Sequence, residues 1–479
     1  MHYFIYSTAD SWITSGSKYA GVSSSNAQQN FGQDEILEVK KEFVDGTLQY
    51  YSRALVQFKG SDLTSISSSV SDNTITNPVY KLRLYETEGV SDLSTEYKLI
   101  AIPISESWDE GIGKSAPVVK EGVSWNFRNQ YVQNGTSQSW VTPGCTTYRD
   151  DSTGATASAA ISVTNFSNND KDSFTLIDAQ GNSASIVEAT HYTAQTSNNV
   201  TATNLNNYIN GLSDLKISAS VVDSVVSLFQ EDKGISGNTT IDHAQDFATI
   251  TNFSGGIDKS FISHSVQSFS YESPDINLDI SDMVNGWFNN SLSENNGLLI
   301  KYSGSQETND TITGQLKFFS RNTNTIYPPK LEVMWDDHLP ATGSNTGSLS
   351  AIDVSGTIKN YVYVKGLRDR YKETEKVKFR VCARPSYIAK TVSTTYNDVT
   401  ASYIPEGSGS YSIIDASTGE VLIPFDTYSK LSCDVSGSYF NQWLNTFQPN
   451  RVYKILIKVL YDDNQEIIYD DNFEFKVVR

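Results

Sequence analysis

The sequence predicts a mainly β protein: one sandwich-like domain interrupted by a small α+β unit, followed by a second, C-terminal sandwich. Three observations predict it. Short runs with strict period-two alternation recur along the chain, as in VYKLRLY (79–85) and KVKFRV (376–381), the pattern of strands with one buried face. Hydrophobic content is only 38% while aromatics reach 11%, with 27 Tyr and 21 Phe, which fits sheets whose cores are filled by rings. The texture also changes near Ala160 and returns at Ser268.

The elements follow in order. Residues 36–40 alternate, 54–58 form a short apolar run, and Asp45-Gly46 between them is a hairpin-turn signal. Residues 61–77 are polar with Ile66 and Val70 four apart, which fits a short helix or a loop. Residues 97–104 repeat the strand pattern and lead into IPISESWDEGIGKSAPVVKEGVSWN (102–126), a stretch holding Trp108, Trp125, the acidic pair Asp109-Glu110 and a glycine-rich turn.

Beyond Ala160 a strand is expected over 174–177, a turn at 178–181 and a strand over 184–190. Thr203 is the expected N-cap of a helix over 204–209 that Gly211 ends. Two strands, 215–219 and 225–229, flank Asp223-Ser224. After Ser268 a strand is expected over 270–280. Ser281 is then placed to cap a helix over 282–288 with Met283, Val284 and Trp287 at helical spacing. Strands over 297–302, 317–320 and 330–335 close the domain. HLPATGSNTGSLS (338–350) has the composition of a linker. Strands over 361–364, 376–381, 453–460 and 473–477 make the second sandwich, with a short helix or turn at 440–444.

The bulk numbers exclude several function classes. At 479 residues the chain has room for two to four domains. A net charge of −19, spread along the chain, repels phosphate backbones and argues against direct nucleic-acid binding. Three cysteines without a CxxC pair, Cys145, Cys382 and Cys433, predict neither a disulfide framework nor a zinc site. No segment has the pattern of a signal peptide, and none approaches the ~18 consecutive apolar residues of a membrane helix. A soluble protein of a reducing cytosol is expected.

Candidate chemistry is sparse. Asp109 and Glu110 beside Trp108 suggest a hydrolase with a sugar-stacking ring. Glycosidases, however, need carboxyls held about 5 Å apart or wider, which adjacency does not supply. The favoured reading is a structural corner, with Trp108 and Trp125 as core anchors and the acids on an exposed turn. The five histidines, His2, His191, His243, His264 and His338, lack HxH or HExxH spacing, so no metal site or triad is expected. GSGS at 407–410 lacks a strand-to-helix context and reads as a turn. The acid pairs Asp336-Asp337, Asp462-Asp463 and Asp470-Asp471 match no EF-hand loop and read as solvated turns. Trp12, Trp140 and Trp443 could stack on sugars, though tryptophans of β domains usually fill cores.

The series FGQDEILEVKK (31–41), SRALVQF (52–58), ISESWDEG (104–111), GVSWN (122–126), INLDISDMVNGWFN (276–289) and NNGLLIKYSG (295–304) resembles the DNRLRE family of jelly-roll sandwiches. These are carbohydrate-binding-module-like, non-catalytic parts of larger proteins. The resemblance covers 1–160 and 260–338, and makes Phe31, Arg53, Trp108, Trp125 and Trp287 the expected core anchors. The segments FFSRNTNTIYPPKLEVMWDD (318–337), KVKFRVCARPSYIAK (376–390) and EVLIPFDTYSKLSCDVSGSYFNQW (420–443) are similar to structural proteins of marine contractile-tailed phages of the cyanophage type.

The expected organisation is a discontinuous jelly roll (1–160 plus 260–338), an inserted α+β domain (161–259), a linker (339–350) and a C-terminal sandwich (351–479). The resemblance implies a non-enzymatic virion component without cofactor or bound metal, assembled in the bacterial host cytoplasm. It would be exposed at the neck, collar or tail, and would bind other virion proteins and copies of itself, but no nucleic acid or membrane. The alternative is a carbohydrate-binding, receptor-recognising protein of tail-fibre type.

Overall fold

A computed structural model describes residues 1–16, 26–44, 47–88, 96–131, 135–168, 173–244, 246–270, 275–309, 314–387, 392, 402–462 and 464–479. The hairpin turn expected at Asp45-Gly46, residues 271–274 of the strand expected over 270–280, and Asp463 lie outside them. The protein is mainly β, 45% strand and 12% helix. It divides into two compact units, Met1–Thr147 with Ser263–Arg479, and Tyr148–Ile262.

In the first unit, the strand His2–Thr14 passes from one sheet of the jelly roll to the other. Its first half pairs antiparallel with Lys330–Met334, from His2↔Met334 to Tyr6↔Lys330. Its second half pairs with Thr47–Phe58, from Ser7↔Phe58 to Thr14↔Ser52, with a register shift between Ser7 and Ala9. A strand that changes sheets through an irregularity is the usual way to make a sandwich corner. On one side the order runs Ser265–Phe269, Tyr97–Pro103, Leu298–Tyr302, Thr47–Phe58; on the other, Lys330–Met334, Val79–Leu84, Ile276–Asp279. Leu55, Leu82, Leu84, Leu99, Ile300, Leu331 and Val333 are buried within it, which accounts for the alternation legible in 79–85.

Two helices decorate this sandwich. Residues 61–77 hold a helix, Gly60–Ser71, that buries Leu63 and Ile66. Its serines bond back to carbonyls four residues earlier, as Ser69 Oγ does to Ser65 O, an arrangement that weakens a helix on its own. Burial of the two apolar side chains therefore holds it in place. The second helix, Ser281–Phe288, buries Met283, Val284 and Trp287 as the spacing predicts. Ser281 is not its cap: its hydroxyl accepts from Tyr80 N (3.0 Å), and Asp279 Oδ1 takes the Ser281 N–H (2.9 Å).

The C-terminal sandwich has one sheet of Asn360–Lys365, Lys376–Pro385, Gly437–Trp443 and Ser432–Asp434. The other holds Arg370–Lys372, Glu466–Val478, Val452–Leu460, Gly409–Asp415 and Val421–Ile423. Rings fill the space between them: Phe440 stacks on Tyr411 at 3.9 Å and on Phe379 at 5.0 Å. The helix or turn expected at 440–444 is instead a strand, Gly437–Trp443, placed in register by Phe379↔Phe440, followed by one tight turn, Leu444–Thr446. Burial of Phe440 between two aromatic neighbours outweighs its polar flanks. The stretch 339–350, linker-like in composition, is tied to this sandwich. Cys433 N donates to Leu339 O (3.0 Å), Leu339 N donates to Ser432 Oγ (3.1 Å), and Thr346 is buried.

The second unit begins ahead of the texture change at 161, because Thr156–Val163 is an inner strand of its four-stranded sheet, between Val225–Lys233 and Ala248–Ser254. Ala157, Ala159, Ile161 and Val163 face its core. A three-stranded sheet, Ser183–Val187, Ser173–Ile177 and Asp242–Ala244, and one helix complete it. That helix is Asn198–Asn210, nearly two turns longer at its start than 204–209. Ser197 caps it by accepting from Val200 N (3.3 Å), while Thr203 lies inside and bonds to Asn199 O (2.9 Å). Asp223, at φ +52°, makes the hairpin turn between Ile217–Val222 and Val225–Lys233.

Candidate functional site

The corner around Trp108 is built on Asn30. This side chain, fully buried, donates to Glu110 O and Val123 O (both 2.8 Å) and accepts from Gly113 N (2.7 Å) and Gly32 N (3.2 Å). A Cβ on Gly111, at φ +77°, would collide with Glu121 O and the Asn30 amide, which is why the turn after the acids is glycine.

The adjacent acids diverge. Asp109 is exposed and accepts its own turn's Gly111 N–H (3.2 Å). Glu110, expected on the exposed turn, instead points inward: Oε1 accepts from Asp10 N (3.0 Å), and both its oxygens take Arg321 Nη1 (3.0 and 2.7 Å). The carboxyl beside it is Asp10. Burial pushes the Asp10 pKa up to about 7, and the charge of Glu110 adds to this, against the Arg321 N–H that Oδ2 accepts at 2.7 Å. Asp10 is 1% exposed, so a substrate atom has no approach to it. Nothing in the spacing of Asp10, Glu110 and Arg321 signals this cluster, since strand pairing and loop packing alone bring them together.

The expected anchors divide into three places. Trp125 is buried, Trp108 half-buried, and both pack in one cluster with Ile13, Leu55, Ile104 and Trp140. Trp108 Nε1 donates to Asn296 O (2.8 Å). Arg53 lies over the Trp125 ring at 4.6 Å and grips Glu307 through Nε and Nη2 (2.6 and 2.9 Å); Lys301 Nζ joins from 2.5 Å. Burial would raise the Glu307 pKa, but the two cations outweigh it and hold the carboxyl below its ordinary value. Phe31 stacks on Trp12 at 3.7 Å, and the Trp12 indole donates to Asp34 (3.1 Å). Trp287 is buried on its helix, its Nε1 without a hydrogen-bond partner among the described residues. Trp12 and Trp140 are therefore core rings, whereas Trp443 is half-buried.

A second cluster lies where the strand His2–Thr14 meets the C-terminal sandwich. Phe4 is part of that sandwich's core, and Tyr6 packs against it. Gln442 Nε2 donates to His2 O (3.0 Å), and Tyr6 Oη donates to Thr446 O (2.9 Å). His2 is fully buried, with Nδ1 2.7 Å from Glu332 Oε1 and Nε2 3.2 Å from Asp426 Oδ1; Arg83 holds the other Glu332 oxygen (2.7 Å). Burial works to lower the His2 pKa, but the bonds to Asp426 and Glu332 prevail and raise it.

Beside this cluster opens a cleft of about 300 Å³, at the small end of ligand-pocket sizes. Trp335 and Ile75 line it from the jelly roll, Ser65, Ile66 and Ser69 from the helix Gly60–Ser71, and Lys376, Trp443 and Asn445 from the C-terminal sandwich. Among the described residues no group of three or more His, Cys, Asp or Glu is placed to hold a metal ion. No protein-family model matches the sequence, and no curated protein matches it.

Proposed function

We propose that the protein is a non-enzymatic structural component of a bacteriophage particle, an exposed neck, collar or tail-attached element assembled in the host cytoplasm. It would bind other virion subunits and copies of itself. The observation that supports this reading is the shared strand: His2–Thr14 belongs to both sheets of the jelly roll, and through Phe4 to the core of the C-terminal sandwich. Two sandwiches joined through a buried strand make a stiff body, which suits a part that must hold a fixed position under load. The chain's resemblance to DNRLRE-type sandwiches and to contractile-tailed phage proteins supports the same reading. The inward-turned Glu110, spent on Arg321 and a backbone N–H, fits a scaffold corner better than a catalytic pair.

Quantitative mass spectrometry of purified particles tests it. The protein should be present at a fixed ratio to the major capsid and tail proteins, and cryo-EM should place it in contact with them. Its absence from particles would rule the reading out.

A further inference from the structure

We infer that the outer face of the sheet formed by Asn360–Lys365, Lys376–Pro385 and Gly437–Trp443 binds single-stranded nucleic acid. The inference goes beyond the particle assignment and does not depend on it. Alternate residues of a strand share a face. With Val377, Phe379, Val381 and Ala383 in the core, Lys376, Lys378, Arg380 and Arg384 stand on the opposite, outer face. Lys365 joins them, paired in register with Arg380. The three strands contain no Asp or Glu. One acid reaches the row from the neighbouring strand: Asp434 takes Arg380 through both oxygens (2.5 and 3.0 Å) and Lys378 through one (3.3 Å). Lys365, Lys376 and Arg384 make no ion pair among the described residues. The net charge of −19 does not oppose this face, because it falls entirely on residues 1–350: residues 351–479 hold sixteen Lys or Arg and sixteen Asp or Glu.

Rings stand among these cations in two roles. Trp443 and Tyr439 are covered: Lys376 Nζ lies 5.0 Å from the centre of the first and Lys378 Nζ 4.0 Å from that of the second. Such contacts hold long side chains extended along the sheet, so less rotamer entropy is lost when they meet a phosphate. Tyr361 is the open ring. It is 40% exposed, sits opposite Arg384 in the register, and stacks on Tyr363 at 5.6 Å. The column from Lys376 to Arg384 extends about 27 Å, at ~3.4 Å per residue, a track for a sugar–phosphate chain. A base beside that track can stack on Tyr361, the pairing of cationic groove and ring that single strands use. A duplex keeps its bases stacked inside and away from the ring. An acidic protein surface would meet the cations but give Tyr361 no planar partner.

The test is fluorescence anisotropy of the full-length protein with labelled oligothymidylate and oligouridylate of about twelve nucleotides, within the ~4–16 that one sheet platform covers. At low salt at least one should bind below about 100 μM, and binding should fall with salt at a log–log slope of about −2 to −3, as for three or four phosphates. Lys365 and Lys376 are both exposed. The double variant Lys365→Glu/Lys376→Glu should bind about tenfold or more weakly and keep the wild-type thermal midpoint. Tyr361→Val keeps a strand-forming side chain without the ring, and should weaken oligonucleotide binding about fivefold or more. Polyglutamate serves as the polyanion without bases. The inference fails if neither oligonucleotide binds at about 100 μM, or if the double variant binds them like the wild type, which would place the nucleic acid elsewhere on the chain. It fails equally if polyglutamate binds as tightly as the oligonucleotides and Tyr361→Val leaves both unchanged, the result expected of a face that takes an acidic protein surface.

Discussion

His2 and Glu332 face each other across the first strand pairing of the jelly roll, with Nδ1 2.7 Å from Oε1, while the other edge of the same imidazole meets Asp426 of the C-terminal sandwich. A histidine that bridges two carboxylates in a dry interface is best satisfied as the cation, which donates from both nitrogens. It makes this junction sensitive to pH.

The direction follows from linkage. The folded-state pKa of His2 lies above its ordinary 6.5, so its contribution is complete below pH 6.5 and fades as pH rises through the folded value. Those of Glu332 and Asp426 lie below their ordinary 4.5 and 3.8, so their contributions are present above those values and fade on further acidification. Stability from this cluster should peak between about pH 4.5 and 6.5. Of the other charges facing it, Asp337 and Arg83 and the Met1 amine, the amine works the other way: burial lowers its pKa below the ordinary 8.0, so its cost is relieved as pH rises toward 8, and the His2 share is the difference between the wild type and His2→Gln. Thermal melts at a series of pH values should show the decline above pH 6.5, and His2→Gln should remove it.

Asp10 carries the opposite sign. With a folded-state pKa of about 7 against an ordinary 3.8, its ionisation costs stability increasingly as pH rises from about 4 to 7. Asp10→Asn keeps an acceptor for Arg321 N and removes the buried charge. It should stabilise the protein at pH 8, on the order of 1–3 kcal/mol, and have little effect at pH 4. Equal denaturation midpoints at pH 8 would contradict this account of the corner.

Arg53 and Glu307 form a buried pair in which the arginine also covers Trp125. Arg53→Met leaves Glu307 with Lys301 alone and should cost about 3–5 kcal/mol, the usual penalty for breaking a buried ion pair. Urea denaturation measures it, and a loss below about 1 kcal/mol would show that the pair is solvated.

Trp108 is half-buried and bonded through Nε1 to Asn296 O. Trp108→Ala should lower stability by about 2–3 kcal/mol, below the 3–5 typical of a fully buried ring. An unchanged melting temperature would contradict the placing of Trp108 among the structural anchors.

How much of this was legible in the sequence depended on how local the cause was. The alternation of 79–85 and 376–381 reported strands because each alternate residue enters a core, and the spacing of Met283, Val284 and Trp287 reported a helix for the same reason. Ser281 and Thr203 misled because a hydroxyl at a helix start is only a candidate cap: Tyr80 N captured one, and Ser197 was better placed than the other. The strand Gly437–Trp443 was hidden because its neighbour in sequence, Ser432–Asp434, pairs with only its first residues, while its longer partner, Lys376–Pro385, lies more than fifty residues away. Asp10, Arg321 and the cleft were invisible for the same reason. Their members come from distant elements, and none has unusual neighbours in the sequence.

The central physical claim is that the jelly roll and the C-terminal sandwich are one cooperative body joined through His2–Thr14. Leu55 lies in the core of the first and Ile455 in the core of the second, both fully buried. Leu55→Ala and Ile455→Ala should each cost about 2–5 kcal/mol. Differential scanning calorimetry of the full chain should show both substitutions lowering the same transition. Two separate transitions, each moved by only one of the substitutions, would contradict the claim.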